Sequence, residues 1–103
     1  MDVFGALAEP TRRKILEMLA ERGQMPASDI YKAFDATPQA ISQHLKVLRE
    51  VDLVRVEKQA QKRLYGINTE TIRELETWAN RTRVAWNKRL DRLENLLAES
   101  ESE

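Results

Sequence analysis

The sequence predicts a mainly α-helical domain with one small β-hairpin. Three observations favour this fold class: only three Gly and three Pro in 103 residues, apolar residues at helical spacing, and two neighbouring β-prone runs. The length predicts a single domain. Cysteine is absent, which excludes disulfides and thiolate metal sites. No stretch of the sequence predicts a membrane span or a secretion signal, so we expect a soluble cytoplasmic protein.

The first third of the chain predicts three short helices. The first covers 3–8, and the second begins at Pro10, whose missing N–H costs nothing in a first turn. Apolar residues within 15–19 give the second helix a buried face, and Gly23 can end it. A third helix is expected at roughly 26–34.

A fourth helix begins at the clearest start signal in the chain. Thr37 is a hydroxyl N-cap, and Pro38 follows at the first helical position of a helix over 38–50. A hairpin over 53–67 follows, and a last helix is expected over about 69–98. A helix, a tight turn, a capped second helix and a hairpin in this order are typical of a winged helix-turn-helix, here with a long C-terminal helix.

The helix over 38–50 carries two different faces. Ile41, Leu45 and Leu48 lie within an arc of about 60° and form a stripe that must be buried. The other face offers amide, hydroxyl and ammonium groups, which suit base edges and phosphates. Such a face alone is usually a solvated surface, but the preceding tight turn and the following basic hairpin favour DNA. The residues expected to contact double-stranded DNA are Thr37, Gln39, Ser42, Gln43, His44, Lys46, Arg49, Lys58, Lys62 and Arg63.

His44 is the only histidine of the chain. One histidine without cysteine partners makes no metal site, and Ser42 points away from it on a helix, so neither metal binding nor catalysis is expected. We expect His44 to pack on the wing or to contact the DNA backbone. An enzyme would also need a nucleophile with a base, a phosphate loop or a ligand cluster, and none is present.

The zero net charge is an average over unlike segments. Residues 37–63 contain six basic and three acidic residues, whereas residues 94–103 contain four acidic residues and no basic one. Overall neutrality therefore does not exclude a nucleic-acid binder. We expect one domain over 1–98, followed by a disordered acidic tail over 99–103.

The last helix predicts a homodimer. It is longer than a domain of this size can cover, and its apolar residues continue at steps of three and four, so a second copy is the natural cover. Binding to a membrane surface is the alternative, but basic and acidic residues are mixed along this helix. The expected interface residues are Val3, Leu7, Trp78, Trp86, Leu90, Leu93 and Leu97.

Two segments of the chain resemble the ArsR family of transcriptional repressors. Residues 6–19 read ALAEPTRRKILEML and are similar to the opening motif of that family. Residues 42–49 read SQHLKVLR and are similar to its recognition-helix motif, which LVRV at 53–56 continues into the wing. The resemblance spans roughly 3–97. It implies a homodimeric repressor that binds a short inverted repeat near its own promoter, with an interface built from the first and last helices.

The resemblance also indicates what this chain lacks. Metal-sensing members carry a Cys-x-Cys at the start of the third helix, where Pro26 and Ser28 stand here, or use His and carboxylates on the last helix, which has no His. The resemblance therefore implies a repressor without metal sensing or cofactor. An unidentified small molecule or protein remains open as effector. The alternative function is a winged-helix module that binds a partner protein.

Overall fold

A computed structural model of the chain describes residues 1–101, and it confirms the winged helix-turn-helix. The helices α3 (Ala27–Lys32) and α4 (Pro38–Glu50) form the helix-turn-helix, and the strands β2 (Val54–Gln59) and β3 (Lys62–Ile67) form the hairpin of the wing. Contacts divide the chain into two units, residues 1–71 and the part of the last helix from Ile72 onward. The elements are α1 (Val3–Leu7), α2 (Pro10–Arg22), β1 (Met25–Pro26), α3 (Ala27–Lys32), α4 (Pro38–Glu50), β2 (Val54–Gln59), β3 (Lys62–Ile67) and α5 (Thr69–Glu101).

Local signals in the sequence set the helix ends. The Thr37 hydroxyl oxygen accepts a hydrogen bond of 3.1 Å from the backbone N–H of Ala40, and Pro38 occupies the first turn of α4. At the end of α2, Gly23 has a φ of 80°, a left-handed conformation that glycine adopts without steric cost. Its N–H donates to the Leu19 carbonyl oxygen at 2.9 Å. Both boundaries follow the sequence prediction.

The sheet has one strand more than the sequence analysis expected. The strand order is β1-β3-β2 with antiparallel pairing, and Met25 lies opposite Tyr65 in the first pair. The strand β1 contains two residues, too few for an alternating pattern to be visible in the sequence. It occupies Pro26, so α3 begins at Ala27 and is shorter than predicted.

The core of the first unit lies between the helices and the sheet. The predicted stripe of α4 is confirmed as buried, with Ile41, Leu45 and Leu48 at most 1% exposed. A hydrogen bond joins the end of α4 to the residue that precedes β2. The N–H of Leu53 donates to the Leu48 carbonyl oxygen at 3.0 Å. The other buried apolar residues are Ala6, Ile15, Leu16, Leu19, Met25, Ile30, Leu53, Val54 and Tyr65.

The helix α5 has 33 residues, which corresponds to about 50 Å. It continues to Glu101 instead of ending at 98, so residues 99–101 are helical where an acidic tail was expected. Residues 102 and 103 of that expected tail lie outside the described residues. From residue 76 to residue 101, every residue is exposed. No helix within residues 1–101 combines the length and hydropathy needed to cross a membrane.

Candidate nucleic-acid interface

The helix α4 divides cleanly into a buried and an exposed face. Opposite its buried stripe, five of the ten side chains that the sequence assigned to DNA lie exposed on this one helix. The Thr37 hydroxyl oxygen is used by the helix cap, which leaves its O–H group available to a phosphate. The exposed polar residues of α4 are Gln39, Ser42, Gln43, Lys46 and Arg49.

His44 lies at the margin between the two faces and is half-buried. The polar contacts of its ring are made with the start of α2, which the sequence did not indicate. Its Nδ1 lies 3.2 Å from an Nη atom of Arg12, and its Nε2 lies 3.8 Å from a carboxylate oxygen of Glu9. These contacts direct both ring nitrogens to the body of the domain.

Glu9 caps α2 and completes this cluster. Its carboxylate accepts a hydrogen bond of 3.1 Å from the backbone N–H of Arg12. Desolvation raises the pKa of the Glu9 carboxyl, whereas that hydrogen bond and the charge that His44 carries when protonated lower it. The lowering effects prevail, so the pKa of Glu9 lies below its ordinary value of 4.5. The carboxylate is therefore a stable negative charge beside His44.

The register of the wing assigns its cations to different faces. Lys58 and Arg63 lie directly opposite each other, on the same sheet face as the buried Tyr65. Lys62 pairs with Gln59 on the other face. Like charges directly opposite each other destabilise a strand pair, so the pairing of Lys58 with Arg63 costs the wing some stability.

The residues expected at a dimer interface differ in exposure. Val3 and Leu7 on α1 are half-buried within the first unit. The residues on α5 are exposed, and their spacings of eight, four, three and four residues place them on one side of that helix. They are Trp78, Trp86, Leu90, Leu93 and Leu97.

Comparisons with known proteins agree with this geometry. A family model described as a helix-turn-helix domain matches residues 7–57. The transcriptional repressor SdpR of Bacillus subtilis (strain 168) is 35% identical over 77 residues, which cover 75% of this chain and 84% of that protein. The chain belongs to the ArsR family of winged helix-turn-helix regulators.

Further relatives support the membership of this ArsR-family chain. The arsenical resistance operon repressor of Bacillus subtilis (strain 168) is 32% identical over 67% of this chain and 66% of that protein. The solved structure of an ArsR-like transcriptional regulator from Rhodococcus sp. RHA1 superposes with a TM-score of 0.83 at 28% identity, covering 91% of this chain and 88% of that one. This ArsR-family chain is therefore a DNA-binding transcriptional regulator and not an enzyme.

The sequence of this ArsR-family regulator did not predict the burial of one charged side chain. Arg12 is buried, although arginine near a helix start is ordinarily exposed. Its partners lie in α1 and α4, and no spacing in the sequence indicates them. Within residues 1–101, no group of three or more His, Asp or Glu side chains is placed to hold a metal ion.

Proposed function

We propose that this ArsR-family regulator is a homodimeric repressor that binds an inverted-repeat operator in the cytoplasm and senses no metal. The observation that carries the proposal is the division of α4. Its apolar stripe is fully used by the core, so its exposed polar face is free to enter a major groove.

The exposed side chains of α4 have complementary chemistry for DNA. Gln39 and Gln43 carry amides that can bond two positions of an adenine edge, and Ser42 can donate or accept between them. Lys46 and Arg49 lie further along the helix and supply positive charge for guanine or phosphate. Base contacts of this kind give specificity, and phosphate contacts set the position of the helix.

The wing supports the same mode of binding from the side. The opposed Lys58 and Arg63 can share one phosphate, which removes the repulsion between them. Lys62 on the other face can reach a neighbouring phosphate. The alternative module that binds a partner protein gains no support from this arrangement, because three cations near a hairpin tip suit a polyanion.

The exposed apolar side of α5 supports the homodimer. Trp86, Leu90, Leu93 and Leu97 are 39–64% exposed, and a second copy of the same helix would cover them. We propose that Val3 and Leu7 of α1 and Trp78 of α5 join this interface. A two-fold dimer would present two α4 helices to major grooves about 34 Å apart, which is why we propose an inverted repeat as the operator.

Repression would follow from occupancy, because a dimer bound over a promoter excludes RNA polymerase. Release would require an effector, for which we propose a small molecule or a regulatory protein. The proposed repressor senses no metal, because Pro26 and Ser28 stand where metal-sensing members of the family carry cysteines.

Footprinting tests the proposal directly. Purified protein should protect a two-fold symmetric site in the DNA upstream of its own gene, and its affinity for that site should fall steeply with rising salt. Gln43→Ala should weaken this binding about tenfold or more, the equivalent of one bidentate base contact, and leave the dimer intact. The matched control is Gln24→Ala, a change at an exposed glutamine outside α4 and the wing. Equal affinity for upstream and random DNA would refute the proposal.

A further inference from the structure

The side chain of Arg12 joins three helices of the first unit. Its residue is only 9% exposed. From α2, its Nε donates to the Ala6 carbonyl oxygen at 2.7 Å, and an Nη atom donates to the Gly5 carbonyl oxygen at 3.3 Å. The other Nη atom lies 3.2 Å from Nδ1 of His44 on α4. A buried guanidinium is costly unless such partners satisfy its N–H groups, so this geometry is strongly preferred over others.

The chemistry of the contact fixes the state of the His44 ring. A guanidinium has only donors, so Nδ1 of His44 must accept, and the proton of a neutral ring must lie on Nε2. That N–H then faces the carboxylate of Glu9 at 3.8 Å, an attractive arrangement. Arg12 and Glu9 thus select one tautomer and one orientation of the ring.

This contact differs in kind from the others that hold α4. The stripe of Ile41, Leu45 and Leu48 is held by burial of apolar surface, which is not directional and tolerates small rotations of a helix about its axis. A hydrogen bond at the edge of that stripe is directional. A rotation of α4 would break the Arg12–His44 contact and would also turn Gln43, the residue next to His44, away from its base.

We propose that Arg12 is a positioning residue for sequence recognition: through His44 it fixes the rotation of α4 and thereby the aim of the DNA-reading side chains. His44 acts as the receiver of this contact and not as a base-reading residue. The inference rests on the proposed function, in which α4 reads the major groove.

The first test observes the ring without DNA. Because His44 is the only histidine, its ring nitrogen resonances in a labelled protein are unambiguous. At mildly alkaline pH the spectrum should show the tautomer with the proton on Nε2, and Arg12→Gln, which replaces the donor-only guanidinium with a shorter amide that can also accept, should change the tautomer populations. A ring protonated on Nδ1 in the wild type would overturn the inference.

The second test measures selectivity, with a duplex selected by the wild-type protein from a randomised pool and a random duplex of equal length. His44→Phe keeps an aromatic ring but removes the acceptor, whereas the amide oxygen of His44→Asn can take the place of Nδ1. The Phe variant should lose about tenfold in affinity for the selected duplex and less than about twofold for the random one, and the Asn variant should recover most of that loss.

A double variant links the effect to Arg12. Adding Arg12→Gln to His44→Phe should cost no further selectivity, because the contact is already lost. The inference would be overturned if the double variant lost the product of the two single-variant losses in selectivity, or if the Phe and Asn variants bound the selected duplex equally. Either result would leave the proposed function standing. A wild-type protein that selects no sequence would overturn both. Loss of folded protein alone would lower both affinities equally, so the ratio of the two separates positioning from stability.

Discussion

The two units of the chain use their apolar residues in opposite ways. The buried apolar core lies entirely within residues 1–71, where apolar side chains of α2, α4 and the sheet are almost inaccessible. From residue 76 to residue 101, every residue is exposed, including two tryptophans and several leucines. The first unit therefore contains the partners that its apolar residues need, whereas the second has a hydrophobic face that a single helix cannot bury.

The largest expected effect concerns the second unit. Trp86→Ala should weaken dimerisation by about 3 kcal/mol or more, because a two-fold interface loses the buried side chain twice. Sedimentation velocity across a concentration series measures the shift. Val84→Ala is the matched control, since Val84 is also an exposed apolar residue but lies about 200° around the helix from Trp86. A Trp86→Ala protein that dimerises as the wild type does would move the interface to another surface.

Leucines of the two units give the next largest contrast. Leu48 is fully buried and Leu96 is 62% exposed. Leu48→Ala should lower the free energy of unfolding by about 2–5 kcal/mol, since it leaves a cavity in the core. In protein diluted below its dimer dissociation constant, Leu96→Ala should change the free energy of unfolding by less than about 0.5 kcal/mol. Chemical denaturation of both variants measures these free energies. A large loss of stability for Leu96→Ala in monomeric protein would contradict the contrast between the units.

The wing differs from both the core and α5, because it pairs two positively charged residues directly across its strands. Lys58→Gln should stabilise the hairpin by about 0.2–1 kcal/mol, since it removes the repulsion with Arg63. The same change should weaken DNA binding and reduce the slope of log affinity against log salt by about 1. Thermal unfolding and a salt titration give the two readouts. If Lys58→Gln lowered both the stability of the protein and its affinity for DNA, Lys58 and Arg63 would not repel each other in the free protein.

The turn at the wing tip offers a smaller gain within the first unit. Ala60 has a φ of 55°, a left-handed conformation that is costly for a residue with a Cβ. Ala60→Gly should therefore raise the free energy of unfolding by about 0.5 kcal/mol, because the steric cost removed exceeds the added chain entropy. Thermal unfolding measures this gain. The control is Ala20→Gly in the helix α2, which should lower the free energy of unfolding by about 1 kcal/mol.

The smallest effect at neutral pH belongs to Glu9. Because its pKa is lowered in the folded protein, its carboxylate stabilises the fold above the ordinary value of 4.5, and that contribution is lost as the pH falls through the folded-state pKa. Glu9→Gln should therefore flatten the loss of stability below pH 4.5. Thermal unfolding over a pH series measures it, with the exposed Glu17→Gln on the same helix as control. If Glu9→Gln lost stability below pH 4.5 as steeply as the wild type does, the hydrogen bond between the Glu9 carboxylate and the Arg12 backbone N–H would be contradicted.

The sequence predicted those parts of the fold that depend on neighbouring residues. The cap at Thr37, the proline that follows it and the stop at Gly23 act over one helical turn, so their positions transfer directly to the structure. The amphipathic pattern of α4 is equally local. It placed the buried stripe correctly and, with it, the exposed face on which the proposed DNA site depends.

Features that depend on distant partners were not predictable. Arg12 and His44 are 32 positions apart, and nothing in either neighbourhood marks the pair. The faces of the wing cations depend on the register, and no Asn-Gly or Asp-Gly dipeptide at 60–61 announces the turn. The end of α5 was placed too early because acidic composition suggested disorder, whereas glutamate is a good helix former and no residue before Glu101 breaks the helix.

The positions of the aromatic residues make the chain its own reporter. Both tryptophans of the sequence, Trp78 and Trp86, are exposed on the second unit, and its one histidine lies in the first. Tryptophan fluorescence therefore follows the long helix alone, while the imidazole resonances follow the first unit. A titration with DNA or with a candidate effector can thus be observed separately in each unit, without attaching a dye.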